Sequence, residues 1–269
     1  MFCSEVAAIS YTKVKRLALG LLANHSEKIT YKNFSGSDRI LDIDEAYNVQ
    51  NEFVAMRKKR ENDVIAGYKV GLTSMRMQNL LGIDSPIGGV VLKKRMFHTG
   101  KLVTRKSYGR VGLECEIIVM MDCDLPPRPE DQYTLKDIEA AVASVSPGFE
   151  IIDDREADYR DIDVLSLVAD NSWNEGLVVG DNVSNWGDLA KAEGRLEKNG
   201  TFLDAGKGID VLGHPFRSVQ WLANTLRERG LKKGDCVATG SIIPTIFPEE
   251  EASYCFRVSG LGAVTVLVQ

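Results

Sequence analysis

The chain has 269 residues, enough for one large domain or a domain with a smaller companion, and its 44% hydrophobic and 26% charged residues are typical of a globular protein. Its formal net charge of −5 argues against a nucleic-acid-binding surface, which would concentrate lysine and arginine. The five cysteines lack Cys-x-x-Cys spacing, and there is no signal-peptide pattern and no apolar run near the ~20 residues of a membrane span. We therefore expect a soluble, cytoplasmic protein that binds neither nucleic acid nor membranes.

Residues 1–62 have the pattern of an N-terminal helical region. Apolar residues between Ile43 and Met56 recur at helical spacing, Asp42 or Asp44 can cap the start of that helix, and the basic run RKKR suits its end. After residue 62 the sequence pattern changes from helical to strand-like. We interpret residues 63–269 as a β-rich domain that contains the candidate metal-binding and catalytic residues considered below.

Strands dominate the second region. The segment VIAGYKVGLT predicts one strand, and further strands are predicted at 89–93, 111–121, 148–152, 175–180, 236–240, 253–258 and 263–268. A short helix is predicted from the cap Ser74 through Leu81, ending at Gly82. Two longer helices are predicted, one over TLKDIEAAVASV after the cap Thr134 and one from Pro215 to a stop at Gly230. Because strands outnumber helices without alternating with them, the pattern favours an α+β roll or a β-rich sandwich over a TIM barrel or doubly wound sheet.

Two glutamates stand at the start of an apolar strand, in VGLECEIIVMM (111–121). Side chains alternate along a strand, so Glu114 and Glu116 point to the same face, where two unpaired carboxylates would repel each other. Glu150, in SPGFEIIDD, is a third acid within a strand-like segment. Three such carboxylates suit Mg²⁺ or Mn²⁺. The alternative is that Glu114 and Glu116 lie on a solvent-exposed strand edge and that Glu150 pairs with an arginine.

Lys69 lies between glycines in AGYKVGLTS, which leaves room for a ligand. Near a metal we expect its pKa to be lowered, which would suit proton transfer; the alternative is a surface lysine at a strand edge. The acidic tract 153–163 has the composition of a solvated loop rather than of a second metal site. The three histidines are scattered along the sequence and form no evident dyad with an acid.

Several motifs occur together in a characteristic order. They are GYKVGLTS, MQNLLGIDSPIGGVVL, LECEIIVMMDCDLP, PGFEIIDDR, VADNSWNEGLVVG, VLGHPFRSVQWLANTL, GLKKGDCVATGS and VSGLGAVTV. Over residues 40–269 the chain resembles the family of 2-keto-4-pentenoate hydratase, 2-oxohept-3-enedioate hydratase and 4-oxalocrotonate decarboxylase, within the fumarylacetoacetate hydrolase superfamily. The resemblance implies a β-rich mixed roll preceded by N-terminal helices, and a homo-oligomer.

The resemblance also implies the roles of particular residues. The metal ligands would be Glu114, Glu116 and Glu150, the catalytic pair Lys69 and the neighbouring acid Asp84, and the pocket-lining residues Ser172 and Ser241. The cofactor would be Mg²⁺ or Mn²⁺. One departure is that Trp173, Asn174 and Glu175 follow Ser172 where the family has small residues, which predicts a narrower or more polar pocket.

The implied reaction is metal-dependent addition of water to a 2-hydroxy-2,4-dienoate, a small 2-keto-acid tautomer, in aromatic-compound catabolism. The absence of arginine from GSIIPT favours a monocarboxylate substrate. The alternatives are a decarboxylase of a 2-keto-3-enedioate of the 4-oxalocrotonate type, then a hydrolase of the carbon–carbon bond of an acylpyruvate. A non-catalytic subunit is disfavoured because Lys69 and all three glutamates are present.

Overall fold

The computed structural model describes residues 2–128, 130–226 and 228–269, with side chains from residue 12 onward except Leu80. Six α-helices occur in the described residues: α1 (Phe2–Glu27), α2 (Ile43–Glu61), α3 (Met75–Leu81), α4 (Leu135–Ala140), α5 (Val164–Ala169) and α6 (Pro215–Thr225). The twelve described strands are β1 (Ile65–Gly71), β2 (Ile87–Leu92), β3 (Met96–His98), β4 (Lys101–Val103), β5 (Val111–Met121), β6 (Val142–Asp153), β7 (Asn174–Val179), β8 (Glu193–Lys198), β9 (Thr201–Lys207), β10 (Cys236–Ile246), β11 (Ala252–Val258) and β12 (Gly262–Val268).

The strands form two mixed sheets. The larger sheet has seven strands in the order β2-β1-β10-β5-β6-β7-β3, and the smaller has five in the order β4-β12-β11-β8-β9. Most neighbours are antiparallel, whereas β1 runs parallel to β10, β3 to β7 and β4 to β12. The predicted α+β, β-rich mixed roll is thus confirmed.

The main hydrophobic core lies between the two sheets. The rings of Phe149 in β6 and Phe256 in β11 are 6.0 Å apart, and both side chains are fully buried. Leu113 and Ile117 of β5 point into this same core. The opposite face of the seven-stranded sheet is therefore left for the polar side chains of β5 and β6.

A second core joins the N-terminal helices to the sheet. Phe53 of α2 and Leu17 of α1 belong to a buried cluster that also contains Ile152 of β6 and Leu167 of α5. Helices α1 and α2 lie within the predicted region 1–62, and they share this core with residues of 63–269. No helix among the described residues is long and apolar enough to cross a membrane.

Local signals located several element ends correctly. Asp42 accepts the backbone N–H of Glu45 and caps α2, Thr134 and Asp137 form a capping box at α4, and Pro215 begins α6.

Other boundaries differ from the prediction. Helix α4 ends at Ala140, and Val142 begins β6, because this segment pairs with β5 along its whole length. Helix α6 ends at Thr225, before Gly230. Strands β3, β4, β8 and β9 were not predicted.

Candidate metal centre and active site

Two neighbouring antiparallel strands place the three glutamates. Glu114 of β5 lies directly opposite Glu150 of β6, and Glu116 follows on the same face of β5. Leu113 and Cys115 point to the other face and are buried in the main core. The apolar face anchors β5, and backbone pairing fixes the distance between the acidic side chains.

The three carboxylates converge on one point. One oxygen of each of Glu114, Glu116 and Glu150 lies within 4.8 Å of the others. Glu116 and Glu150 are fully buried, and Glu114 is half-buried. Glu116 Oε1 has no hydrogen-bond partner, and Glu150 Oε2 has none besides the Lys69 ammonium, 3.3 Å away. Buried carboxylate oxygens without partners are costly unless a cation binds them, so this donor set fits a divalent metal ion.

Lys69 of β1 points into the same space. Its Nζ lies 3.3 Å from Glu150 Oε2, although β1 and β6 are three strand spacings apart, about 14 Å in a flat sheet. Extended lysine and glutamate side chains together can span this separation. A Cβ on Gly71 would lie 3.1 Å from Lys69 Nζ, and one on Gly89 would lie 3.0 Å from Lys69 Cγ. These glycines give the lysine side chain its room.

The electrostatics of the site are dominated by burial and by the crowding of acids. Burial raises the pKa of Glu116 well above its usual value, and Glu150 and Glu114 raise it further. Burial also raises the pKa of Glu150 to about 7, against the opposing effect of Lys69. A cation bound here would favour the ionised carboxylates.

The lowered pKa expected for Lys69 beside a metal stays a prediction, because the balance described here is that of the chain without a bound ion. Burial does lower it, but the three carboxylates outweigh burial, and the pKa of Lys69 is raised. Lys69 is therefore an ammonium group that offsets part of the negative charge of the glutamates.

Each glutamate has one oxygen held by a neutral donor. Asn174 Nδ2 donates to Glu150 Oε1 over 2.8 Å, Thr245 Oγ1 to Glu114 Oε1 over 2.7 Å, and the Gly240 N–H to Glu116 Oε2 over 2.8 Å. Of these, Asn174 appeared in the sequence only as a departure from the family pattern, and Thr245 carried no signal.

A turn with an unusual backbone borders Lys69. Asn171, Ser172 and Trp173 all have left-handed φ angles, between 49° and 61°. Asn171 exchanges two hydrogen bonds with the backbone of Val90 in β2, at 2.7 and 2.9 Å. The Ser172 hydroxyl is buried and donates to Gly88 O over 3.4 Å. The turn thus holds β2, the edge strand whose Gly89 lies opposite Lys69 in β1.

The other two site residues predicted from the resemblance lie differently. Ser241 pairs with Glu116 across β10 and β5, and its hydroxyl donates to Ile243 O over 2.5 Å. Asp84 is exposed in the loop between α3 and β2. It lines a cavity of about 1440 Å³ next to α2 and α6, and the described lining residues include neither Lys69 nor the three glutamates. The roles of Asp84, Ser172 and Ser241 remain predictions.

A buried ion cluster adjoins the site, and sequence reasoning missed it. Its members come from α1, α2 and four segments of the second region: His25, Arg57, Glu61, Arg95, Arg155, Asp170 and Glu175. Glu175 accepts both Arg57 NH groups at 2.9 Å and Arg95 Nη1 at 2.8 Å. The cluster ties the N-terminal helices to the start of β7.

Part of the tract 153–163 belongs to this buried environment, so the solvated-loop interpretation is wrong there. Asp154 and Arg155 are buried, and Arg155 Nη2 donates to Asp170 Oδ2 over 2.6 Å. His25 also reaches Asp170, with Nε2 2.6 Å from Oδ1. The sequence showed no such dyad because the two residues are 145 positions apart.

Comparisons with known proteins give the family. No family model matches the chain. The chain is similar to 4-oxalocrotonate decarboxylase from Pseudomonas putida, with 32% identity over 225 residues that cover 82% of this chain and 83% of the relative. It is 31% identical to 2-hydroxyhexa-2,4-dienoate hydratase from Comamonas testosteroni over 232 residues, 84% of this chain and 86% of the relative.

Its fold matches that of 4-oxalocrotonate decarboxylase from Pseudomonas putida G7, solved with magnesium and adipate. The TM-score is 0.88 at 30% identity, and the match covers 96% of this chain and 98% of that one. With this fold and this degree of identity, the chain belongs to the enzyme family of 2-keto-4-pentenoate hydratases and 4-oxalocrotonate decarboxylases.

Proposed function

We propose that the chain is a divalent-metal-dependent hydratase that adds water to a 2-hydroxy-2,4-dienoate, or to its 2-keto tautomer, in aromatic-compound catabolism. The observation that carries the proposal is the convergence of Glu114, Glu116 and Glu150 beside the buried ammonium of Lys69. Similarity to a 2-hydroxyhexa-2,4-dienoate hydratase supports the substrate class. We further propose a homo-oligomer, as the family resemblance implies, which light scattering would test.

The metal would be held by the three glutamates. Carboxylate oxygens suit Mg²⁺ or Mn²⁺, and Glu116 Oε1 and Glu150 Oε2, to which no neutral group donates a hydrogen bond, are the ones open to it. A relative was solved with magnesium, which favours Mg²⁺. When bound, such an ion would act as a Lewis acid on the 2-oxygen of a keto acid.

Lys69 would transfer the protons of the reaction. Its Nζ is protonated in the chain without an ion and lies above Gly71, where no side chain intervenes. From this position the ammonium would protonate the far carbon of the dienol as the 2-hydroxyl releases its proton in ketonisation. The resulting amine would then take a proton from the water that adds, and the released hydroxyl proton would end on the carbon next to the ketone. Proton transfer by a placed side chain contributes about 10²–10⁴-fold to a rate. Burial around Lys69 also excludes bulk water that would compete for the proton.

The test compares Glu114→Gln with a distant control, Glu193→Gln, whose side chain is exposed on β8. Calorimetric titration with Mn²⁺ and a dienoate hydration assay are run on both. We expect Glu114→Gln to lose Mn²⁺ binding and turnover with an unchanged circular dichroism spectrum, because glutamine keeps the shape but not the charge. Undiminished turnover in this variant would refute the assignment.

Decarboxylation is the second candidate, because two of the similar proteins are 4-oxalocrotonate decarboxylases. The same carboxylate and lysine set serves both reactions. Measuring CO₂ release from a 2-keto-3-enedioate against hydration of a 2-hydroxydienoate, in one purified sample, separates them.

Acylpyruvate hydrolysis is less well supported because it commonly uses a histidine base. Although His25 contacts Asp170, its other ring nitrogen lies 3.2 Å from Glu175, and these carboxylates raise the His25 pKa against the effect of burial. An imidazole with both ring nitrogens engaged by these partners is not free to activate water.

A further inference from the structure

We propose that Asn174 and Thr245 are positioning residues that set the affinity of the three-glutamate site for its cation, an inference that rests on the proposed function. Each donates a hydrogen bond to one oxygen of a glutamate and leaves the other oxygen without a neutral donor; on Glu150 that second oxygen lies 3.3 Å from Lys69 Nζ. Outer donors of this kind fix the orientation of a ligating carboxylate.

The donors lock the glutamates from two sides. Thr245 lies on β10 and holds Glu114, whereas Asn174 lies at the start of β7 and holds Glu150. Both donors are neutral, so they orient the carboxylates without cancelling the negative charge that a cation needs. Free rotation of a glutamate side chain would otherwise have to be lost when the ion binds.

A β-bulge places Asn174 on the correct face. Ile151 pairs with Gly176, but Ile152 pairs with Asn174, so the register shifts by one residue at Glu175. In an unbulged strand Ile152 would face Glu175, and an additional carboxylate would stand beside Glu150. The bulge puts a neutral donor there instead.

The displaced acid is neutralised elsewhere. Arg57 and Arg95 bind the carboxylate of Glu175, which anchors the bulge through the residue next to Asn174. Gly176 follows with a φ of +147°, and a Cβ there would lie 2.4 Å from Arg95 O. The register shift, the arginine contacts of Glu175 and the close approach of Gly176 to Arg95 all favour one position for the Asn174 amide.

The experiment measures Mn²⁺ dissociation constants by calorimetry for wild type, Thr245→Val, Thr245→Ser and Asn174→Leu, with the urea midpoint of each protein without metal. Valine and leucine keep the approximate shape and remove the donor, whereas serine keeps it. We expect binding to weaken about 10–100-fold in Thr245→Val and Asn174→Leu but little in Thr245→Ser. Turnover of the weakened variants should recover at saturating Mn²⁺.

The outcomes separate the inference from the proposed function. If wild type binds Mn²⁺ through Glu114 and the valine variant binds equally well, the positioning role is refuted while the metal site stands. If wild type binds no Mn²⁺, both fail. Thr245→Val and Thr245→Ser form the deciding pair, because a loss of stability common to both would leave their relative affinities unchanged.

Discussion

Replacing Glu175 with glutamine should destabilise the protein strongly, because this buried carboxylate is in contact with three basic groups. It binds Arg57 through two hydrogen bonds of 2.9 Å, Arg95 at 2.8 Å and His25 at 3.2 Å. In spite of burial, which raises it, the pKa of Glu175 is lowered by these basic neighbours. Glutamine would keep the size of the side chain and remove its charge.

The magnitude follows from what remains after the substitution. Arg95 keeps Glu61 at 3.1 Å, but Arg57, only 5% exposed, keeps only a 3.8 Å approach to Glu61. Breaking a buried pair from one side costs about 3–5 kcal/mol because the other charge stays buried and unpaired. That is a large share of the roughly 5–15 kcal/mol by which domains are stable.

Urea unfolding monitored by circular dichroism tests this prediction. With a urea slope of about 1–3 kcal/mol per molar, the midpoint of Glu175→Gln should fall by about 1 M or more. Glu250→Gln is the control, since it breaks only the exposed pair with Lys198, and it should shift the midpoint far less. Equal shifts in the two variants would show that the cluster does not stabilise the fold.

Three further outcomes are expected. Lys69→Met should lower turnover about 10²–10⁴-fold while Mn²⁺ titration still shows binding; unchanged turnover would remove Lys69 from the reaction. Gly89→Ala should lower turnover too, since its Cβ would lie 2.8 Å from Asn171 O and 3.0 Å from Lys69 Cγ; a wild-type rate would show that the lysine needs no such room. Burial lowers the pKa of His25, but Asp170 and Glu175 outweigh burial and raise this pKa above its ordinary value. The positive charge of His25 therefore stabilises the fold fully below about pH 6.5, and this stabilisation is lost as the pH rises through the raised pKa. The difference in urea midpoint between wild type and His25→Gln should therefore shrink from pH 6 to pH 9, and a constant difference would contradict this assignment.

The sequence supported prediction where a signal was local. Glu114 and Glu116 stand out because strand alternation puts both on one face. The glycines next to Lys69 in the sequence indicate that there is space beside its side chain. Capping residues such as Asp42 and Thr134 located helix starts because their hydrogen bonds span only three residues.

Features that depend on distant parts of the chain were not predictable. The apolar residues around Val142 fit both a helical and a strand pattern, and the segment is a strand because it pairs with β5. The position of Asn174 depends on a shift in register, which no composition encodes. His25 and Asp170 meet only because α1 packs on the sheet, across 145 positions of sequence.

The direct pairing of Glu114 with Glu150 restricts where the gene can gain or lose codons. One residue inserted upstream within β5 or β6 would turn a glutamate to the opposite face, into the space of Leu113 or Phe149. Changes of length between Asp122 and Thr134 leave that pairing intact. Length differences among natural homologues should therefore collect in such connections and spare both strands.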